Sequence, residues 1–444
     1  MLSRNFIRQS TRTFISFSRR SIIPSTTKLS SRCAYQQASK FSTTSSLLHQ
    51  ASQAEQSSQQ AQDTMRALVY HGAKDIRYNH DFELPKITKP NDVIIRIAYC
   101  GTDLHEYEEP KFFKNAASEG GDKISGKKLP LVPGHEMSGV VHQVGEGVEN
   151  LKPGDHVVVE ATGHCSDRQN YFTEPENHRR HDETCINCEL GFTNTCSDLN
   201  FVGLGIDNGG LAEYTKYSEE HIFKIDKKIP LDVAALIEPL SVVWHAVELS
   251  GFVPGEDAVV LGAGPIGLAT ILVLKAFGAS RIVCSEPATI RREQAEYFGA
   301  VPFNPAEHDN DTEILRSMGL KGEGFGKSFD CSGIPKTYET SIHSLRAHGV
   351  ACNVAIWPHR SVAHYVMDLT LEEKSSVGSL GYTQKDFKGV INAIQNDHIP
   401  VEKLKQFITG RVGLKSGVVN GFHELIEHKD KHIKILISPD LFEQ

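Results

Sequence analysis

Four residues with metal-binding side chains stand out by type and setting: Cys100 in "CGTDLH", His135 and Glu136 in "PGHEMSGVV", and Glu238 in "LIEPLSVVWHAV". A metal ion that performs chemistry needs three protein ligands and one open position. A thiolate, an imidazole and a carboxylate supply such a set, whereas any one of them alone is more often an ordinary core or surface residue. A second set is Cys165, Cys185, Cys188 and Cys196, spaced C-x19-C-x2-C-x7-C. Four thiolates in one loop close a tetrahedral zinc site, which is structural because no position is left open. The C-x2-C pair is the specific part of that pattern. His164, His178 and His181 share the loop; they are alternative ligands, read here as solvated loop residues.

A third constellation is "VVLGAGPIGLA", in which Gly262, Gly264 and Gly267 have the spacing G-x-G-x-x-G between a strand and a helix. That context is the one in which the motif binds a dinucleotide. Gly262 permits the tight turn, Gly264 lets the backbone approach a pyrophosphate, and Gly267 lets helix and strand pack closely. The helix opened by Pro265 and Ile266 aims its N-terminus at the phosphates. Glu286 follows at the end of the next strand, placed to accept hydrogen bonds from the adenosine ribose and to repel a 2′-phosphate. NAD is therefore the expected cofactor, although Arg291 or Arg292 nearby could hold a 2′-phosphate.

The elements around these residues fall into two kinds. From Met65 to about residue 235 the chain reads as short strands and glycine turns, including "DVIIRIAYCG" and "GDHVVVE". From 236 to 382 strands alternate with helices, the pattern of a parallel sheet covered on both faces. The segment 383–444 ends in "HIKILISP", a strand able to rejoin the first domain. The 17-residue apolar run 258–274 is the glycine turn and its helix, not a membrane span.

Charge separates off the N-terminus. Residues 1–64 carry eight Lys and Arg and two acids, so the remainder has 39 basic against 53 acidic residues, a net charge of −14, which argues against a nucleic-acid partner. The first 54 residues hold no acid and are rich in Ser, Thr and Arg. That composition predicts a mitochondrial transit peptide and linker over 1–64, with the matrix as destination and Met65 as a second start giving a cytosolic form. Nine cysteines in a chain of this size point to metal ligands before disulfides. Cys284, Cys331 and Cys352 fall in strands or at strand ends and read as small buried hydrophobes.

"GHEMSGVVHQVGEGV", "CGTDLH", "GEGVENLKPGDHVVVE", "EPLSVVWHA" and "GAGPIGL" occur in the order and register of the zinc-containing medium-chain alcohol dehydrogenases, which the chain resembles over essentially all of 65–440. "EPLSV" is similar to the polyol and diol branch. "CGTDLHEY", "VVVEATGHCSDR", "NFVGLG" and "CSEPATIRR" resemble its fungal members that interconvert (R,R)-2,3-butanediol and acetoin. The resemblance implies a two-domain α/β fold. A GroES-like β-barrel catalytic domain spans 65–235 and is completed by 383–444; a Rossmann domain with a doubly wound parallel sheet spans 236–382. It implies NAD, one catalytic and one structural zinc per subunit, and a homodimer or homotetramer. By resemblance Cys100 and His135 bind the catalytic zinc, with Glu136 or Glu238 as third ligand. Thr102 and His105 relay the proton, and Asp103 orients His135. In the family the first cysteine of the quartet lies close to the second; here Cys165 is far upstream.

The implied reaction is oxidation of a vicinal diol to a hydroxyketone, butanediol to acetoin above all, and likewise acetoin to diacetyl. A sorbitol- or xylitol-type dehydrogenase is the alternative, and a non-catalytic NAD(H)-binding protein the remote one. The 106–129 segment, with Tyr107, Phe112 and Phe113, is expected to narrow the pocket towards short diols.

Overall fold

The computed structural model describes residues 64–171, 184–357 and 361–441, apart from the side chains of His105 and Glu106. The predicted transit segment, His178 and His181 lie outside the described residues. The described residues belong to one compact unit.

Nine strands come first: β1 (Thr64–Gly72), β2 (Asp75–Glu83), β3 (Asp92–Gly101), β4 (Met137–Val144), β5 (His156–Val159), β6 (Thr162–Gly163), β7 (Asn200–Phe201), β8 (Tyr214–Ser218) and β9 (Ile222–Lys224). Six follow with helices between them: β10 (Asp257–Leu261), β11 (Arg281–Ser285), β12 (Val301–Phe303), β13 (Phe325–Asp330), β14 (Leu345–Asn353) and β15 (Ser375–Gly378). The last two are β16 (Ile408–Gly413) and β17 (Lys434–Ser438).

The middle six pair in parallel in the order β12-β11-β10-β13-β14-β15. Numbered within the sheet this is 3-2-1-4-5-6, the doubly wound order that opens a crevice between its first and fourth strands. Every residue of β10, "DAVVL", is buried, as helices on both faces require.

The other strands build a seven-stranded sheet, β16-β17-β3-β4-β5-β9 with β8 also on β3. Strand β17 pairs antiparallel with β3 at Leu436–Gly101 and Ile437–Cys100, so a strand more than 300 residues downstream flanks the first candidate ligand. The helix Ile237–Leu249 joins the two sheets. It carries Pro239 in its first turn, where the missing N–H has no intrahelical partner to lose. Its buried face, with Ile237, Leu240 and Val243, packs in one core with Val158 and Leu436 of the first sheet and Ala258 and Val260 of the second.

Candidate active site and metal centres

Three of the four predicted catalytic ligands converge. His135, Glu136 and Glu238 are all buried and each offers a ligand atom within 4.8 Å of the others. His135 and Glu136 sit on the turn entering β4. Gly134 there has φ +102°, and a Cβ on it would lie 2.6 Å from the Cys100 sulfur. Gly101 has no room for a side chain because Glu136 Oε2 fills that space. Glu238 comes from the first turn of the joining helix, where a carboxylate also meets the positive end of the helix dipole. Cys100 is not among the three within 4.8 Å but lines the same place: its sulfur is 3.0 Å from where a Gly210 Cβ would stand.

The electrostatics of this group call for a cation. Glu136 Oε2 is buried without a hydrogen-bond partner. Burial, with Glu136 as a like-charged neighbour, pushes Glu238 up to about 7, against the pull of His135. Two buried carboxylates beside an imidazole fit a divalent ion, which would reverse that shift. Asp103 faces His135 Nε2 at 3.7 Å, an ion-pair separation and longer than a hydrogen bond.

One residue absent from the sequence reading is central. Lys434 of β17 is buried, places Nζ 2.6 Å from Glu136 Oε1, and donates to the Thr102 carbonyl at 3.1 Å. Burial disfavours its charge, but Glu136 and Asp103 more than offset this and raise it. The signal was in "HIKILIS": a lysine inside an apolar strand demands a buried partner. Phe201, also unremarked, lies edge-on to His135 with ring centroids 5.9 Å apart. Thr102 is buried and its hydroxyl donates to the Ile435 carbonyl at 2.9 Å. The His105 side chain lies outside the described residues.

The aromatic residues of 106–129 pack into the first domain. Phe113 is in its core, stacked on Tyr70 at 3.8 Å. Tyr107 is also buried, its hydroxyl 2.7 Å from His423 Nε2 and its ring against Phe422.

The four cysteines of the loop come together, Cys165 included, despite its distant place in the chain. Cys185 and Cys196 sulfurs are 3.7 Å apart. Backbone N–H groups of Cys165 and Asp198 donate to the Cys196 sulfur, and that of Cys185 to Cys165. Such bonds favour thiolates. Burial raises Cys185, but the N–H groups of Ser197 and Cys188 overcome it and bring the thiol down to about 6. Burial pushes Cys188 and Cys196 up, as crowded sulfurs without a cation require. Four sulfurs on one point fit a zinc ion. By contrast Cys284 and Cys352 are buried as small hydrophobes, their thiols pushed up by burial, and half-buried Cys331 lies near both with its sulfur 3.6 Å from Thr270 Oγ1.

The glycine turn has the predicted form. Gly262 has φ +100°, and Gly264 caps the helix Pro265–Ala276, in which Ile266 lies in the first turn and packs against the core. A Cβ on Gly267 would overlap the Gly262 carbonyl, while one on Gly264 would meet nothing within 4 Å. The space over Gly264 is thus open to a ligand and the space at Gly267 is not. Glu286 is buried at the end of β11 and accepts from Ala263 N and Ala288 N at 2.8 and 2.9 Å. Arg291 reaches the Lys429 carbonyl at 3.1 Å, and Arg292 the carbonyls of Glu286 and Pro287, so in this conformation both bond to backbone.

A barrel carrying a buried ligand group, joined to a doubly wound sheet with a phosphate-binding turn, defines a metal-dependent dehydrogenase architecture. Comparison with known proteins agrees. Residues 89–227 match the alcohol dehydrogenase GroES-like domain and residues 265–396 the zinc-binding dehydrogenase family. The chain is 46% identical over 380 residues to (R,R)-butanediol dehydrogenase of Saccharomyces cerevisiae, covering 85% of this chain and 98% of the relative. It is 30% identical over 379 residues to D-xylulose reductase A of Aspergillus niger, covering 84% and 96%. Its fold superposes on the crystal structure of 2R,3R-butanediol dehydrogenase from Bacillus subtilis with a TM-score of 0.74 at 31% identity, covering 85% of this chain and all of that one. The chain belongs to the zinc-containing alcohol dehydrogenase family and is an oxidoreductase.

Proposed function

We propose that the protein interconverts (R,R)-2,3-butanediol and acetoin, and acetoin and diacetyl, using NAD and a zinc ion. The observation that carries the reading is the buried group His135, Glu136 and Glu238 beside Cys100, with a carboxylate oxygen that has no hydrogen-bond partner. The 46% identity to a butanediol dehydrogenase narrows the substrate class. Zinc held by Cys100, His135 and one of the two glutamates would lower the pKa of the substrate hydroxyl, and NAD held over Gly262, Gly264 and Gly267 would take the hydride.

The chain's own residues do the rest. Lys434 holds Glu136 on one side and the Thr102 carbonyl on the other, and so fixes the turn after Cys100 relative to β4. The Thr102 oxygen can accept from the substrate hydroxyl while its own proton points at Ile435. His105 completes the relay that the resemblance implies. Glu286, at the ribose end, supports NAD over NADP.

The test is initial rates of the 65–444 protein with (R,R)-, meso- and (S,S)-butanediol, sorbitol and xylitol, each with NAD and NADP. Selectivity for the (R,R) diol with NAD is the expected result. Preference for xylitol or sorbitol would move the protein to the polyol reading that its likeness to a D-xylulose reductase also supports. The acid-free N-terminus supports import into the mitochondrial matrix with a second, cytosolic form from Met65; fractionation of cells bearing a C-terminal tag checks it, and a single mitochondrial form would remove the second start. A homodimer or homotetramer is expected by light scattering.

A further inference from the structure

A second buried ligand group lies beside the cysteine quartet. His164, Asp167 and His221 each offer one ligand atom within 4.8 Å of the others. His221 Nε2 is 3.2 Å from Asp167 Oδ1, and His164 Nδ1 is 3.5 Å from Asp167 Oδ2. Ligand atoms at zinc distances of 2.0–2.1 Å in a tetrahedron stand about 3.3 Å apart, so the spacing is that of a coordination sphere.

Two observations point to an ion. His164 Nδ1 is buried with no hydrogen-bond partner. His221 Nδ1 is 2.6 Å from Glu160 Oε2, the carboxylate-to-imidazole contact that fixes the tautomer of a metal-binding histidine and leaves Nε2, 3.2 Å from Asp167 Oδ1, as the ligand atom. Glu160, Asp167 and His221 are each 1–2% exposed, and His164 is the second imidazole beside Asp167. Two protons would balance the two carboxylates, and so would a divalent cation on neutral imidazoles; the unpartnered His164 nitrogen favours the cation.

We propose that His164, Asp167 and His221 bind a third metal ion, distinct from the catalytic and cysteine-bound ions. Two imidazoles and a carboxylate favour zinc or a similar transition metal over calcium or magnesium. His164 immediately precedes Cys165, and His221 ends the turn leading into β9. The ion therefore fastens the start of the cysteine loop to the barrel, a structural role independent of the substrate.

The test is metal content per subunit of the untagged, full-length protein by plasma mass spectrometry, after gel filtration in a weak chelator. The wild type is expected to hold three ions, and His164→Ala and His221→Asn two each. The Cys188→Ser variant is expected to lose the quartet's ion, and Cys188→Ser/His164→Ala to hold one fewer than Cys188→Ser alone. Two ions in the wild type, or no change on His164→Ala, overturns the proposal. So does a double variant equal to Cys188→Ser, because His164 would then act only through the quartet. His164→Ala decides if His221→Asn does not fold, since its side chain is the most exposed of the three.

Discussion

Lys434 Nζ and Glu136 Oε1 lie 2.6 Å apart, although 298 residues separate them in the chain. This buried pair ties the last strand to the metal-binding turn. Substituting Lys434 by Met strands Glu136 as an unpaired charge, a loss of about 3–5 kcal/mol for a buried ion pair broken on one side. A metal on Glu136 would supply the missing positive charge. K434M is therefore expected to lower the unfolding midpoint strongly in chelator-treated protein and much less in zinc-loaded protein. Equal losses in both would show that Glu136 does not face the metal.

Cys165 joins a quartet from which its sequence position sets it apart. Cys165→Ser is expected to lose one zinc per subunit and to lower the midpoint by roughly 5 °C or more, on a scale of about 2 °C per kcal/mol for a chain of this size. Metal content and calorimetry on the same preparation check it; retention of every ion would place Cys165 outside the site.

Gly264 and Gly267 make opposite predictions. A Cβ at Gly264 meets nothing within 4 Å. Gly264→Ala should fold with an unchanged midpoint and bind NADH at least about tenfold more weakly, because only the cofactor occupies that space. Gly267→Ala should destabilise the protein itself, since its Cβ would overlap the Gly262 carbonyl. Fluorescence titration with NADH and thermal melts separate the two.

Asp386 caps the helix Gln384–Gln395 through Thr383 N and Oγ1, both at 2.7 Å, and faces His245 Nδ1 at 3.0 Å. Burial raises its pKa, but His245 and Thr383 overcome that and hold it below the ordinary 3.8. A depressed carboxylate contributes stability above its unfolded pKa and loses it as pH falls through the folded value. Asp386→Asn keeps an acceptor for Thr383 but loses the charge that faces His245 and strengthens those bonds, and should cost about 1 kcal/mol near pH 7. The gap to wild type should close below about pH 4. Urea melts from pH 3 to 7 check this; a constant gap would remove the titration from the account.

Much of the fold and site could be read from local pattern. The parallel sheet follows from alternating apolar strands and helices, and the glycine turn from a motif whose every residue has a steric reason at its position. The cysteine quartet was legible in its C-x2-C half. His135 and Glu136 were legible as adjacent ligands among glycines.

What local pattern could not carry was pairing at long range. Phe201, Asp167 and His221 are unremarkable in their own segments, and Lys434 and His164 show there only that they could pair or ligate, not with what. They acquire meaning only when β17 lies against β3 and the turn at 221 folds over β6. Long-range packing likewise set the partners of Phe113 and Tyr107, which stack on Tyr70 and Phe422. The sequence by itself determined which side chains can ligate, turn or cap, since those properties belong to single residues and their neighbours. Only the tertiary structure decided which charges meet in the interior. There a charge must find its partner wherever the chain happens to bring one.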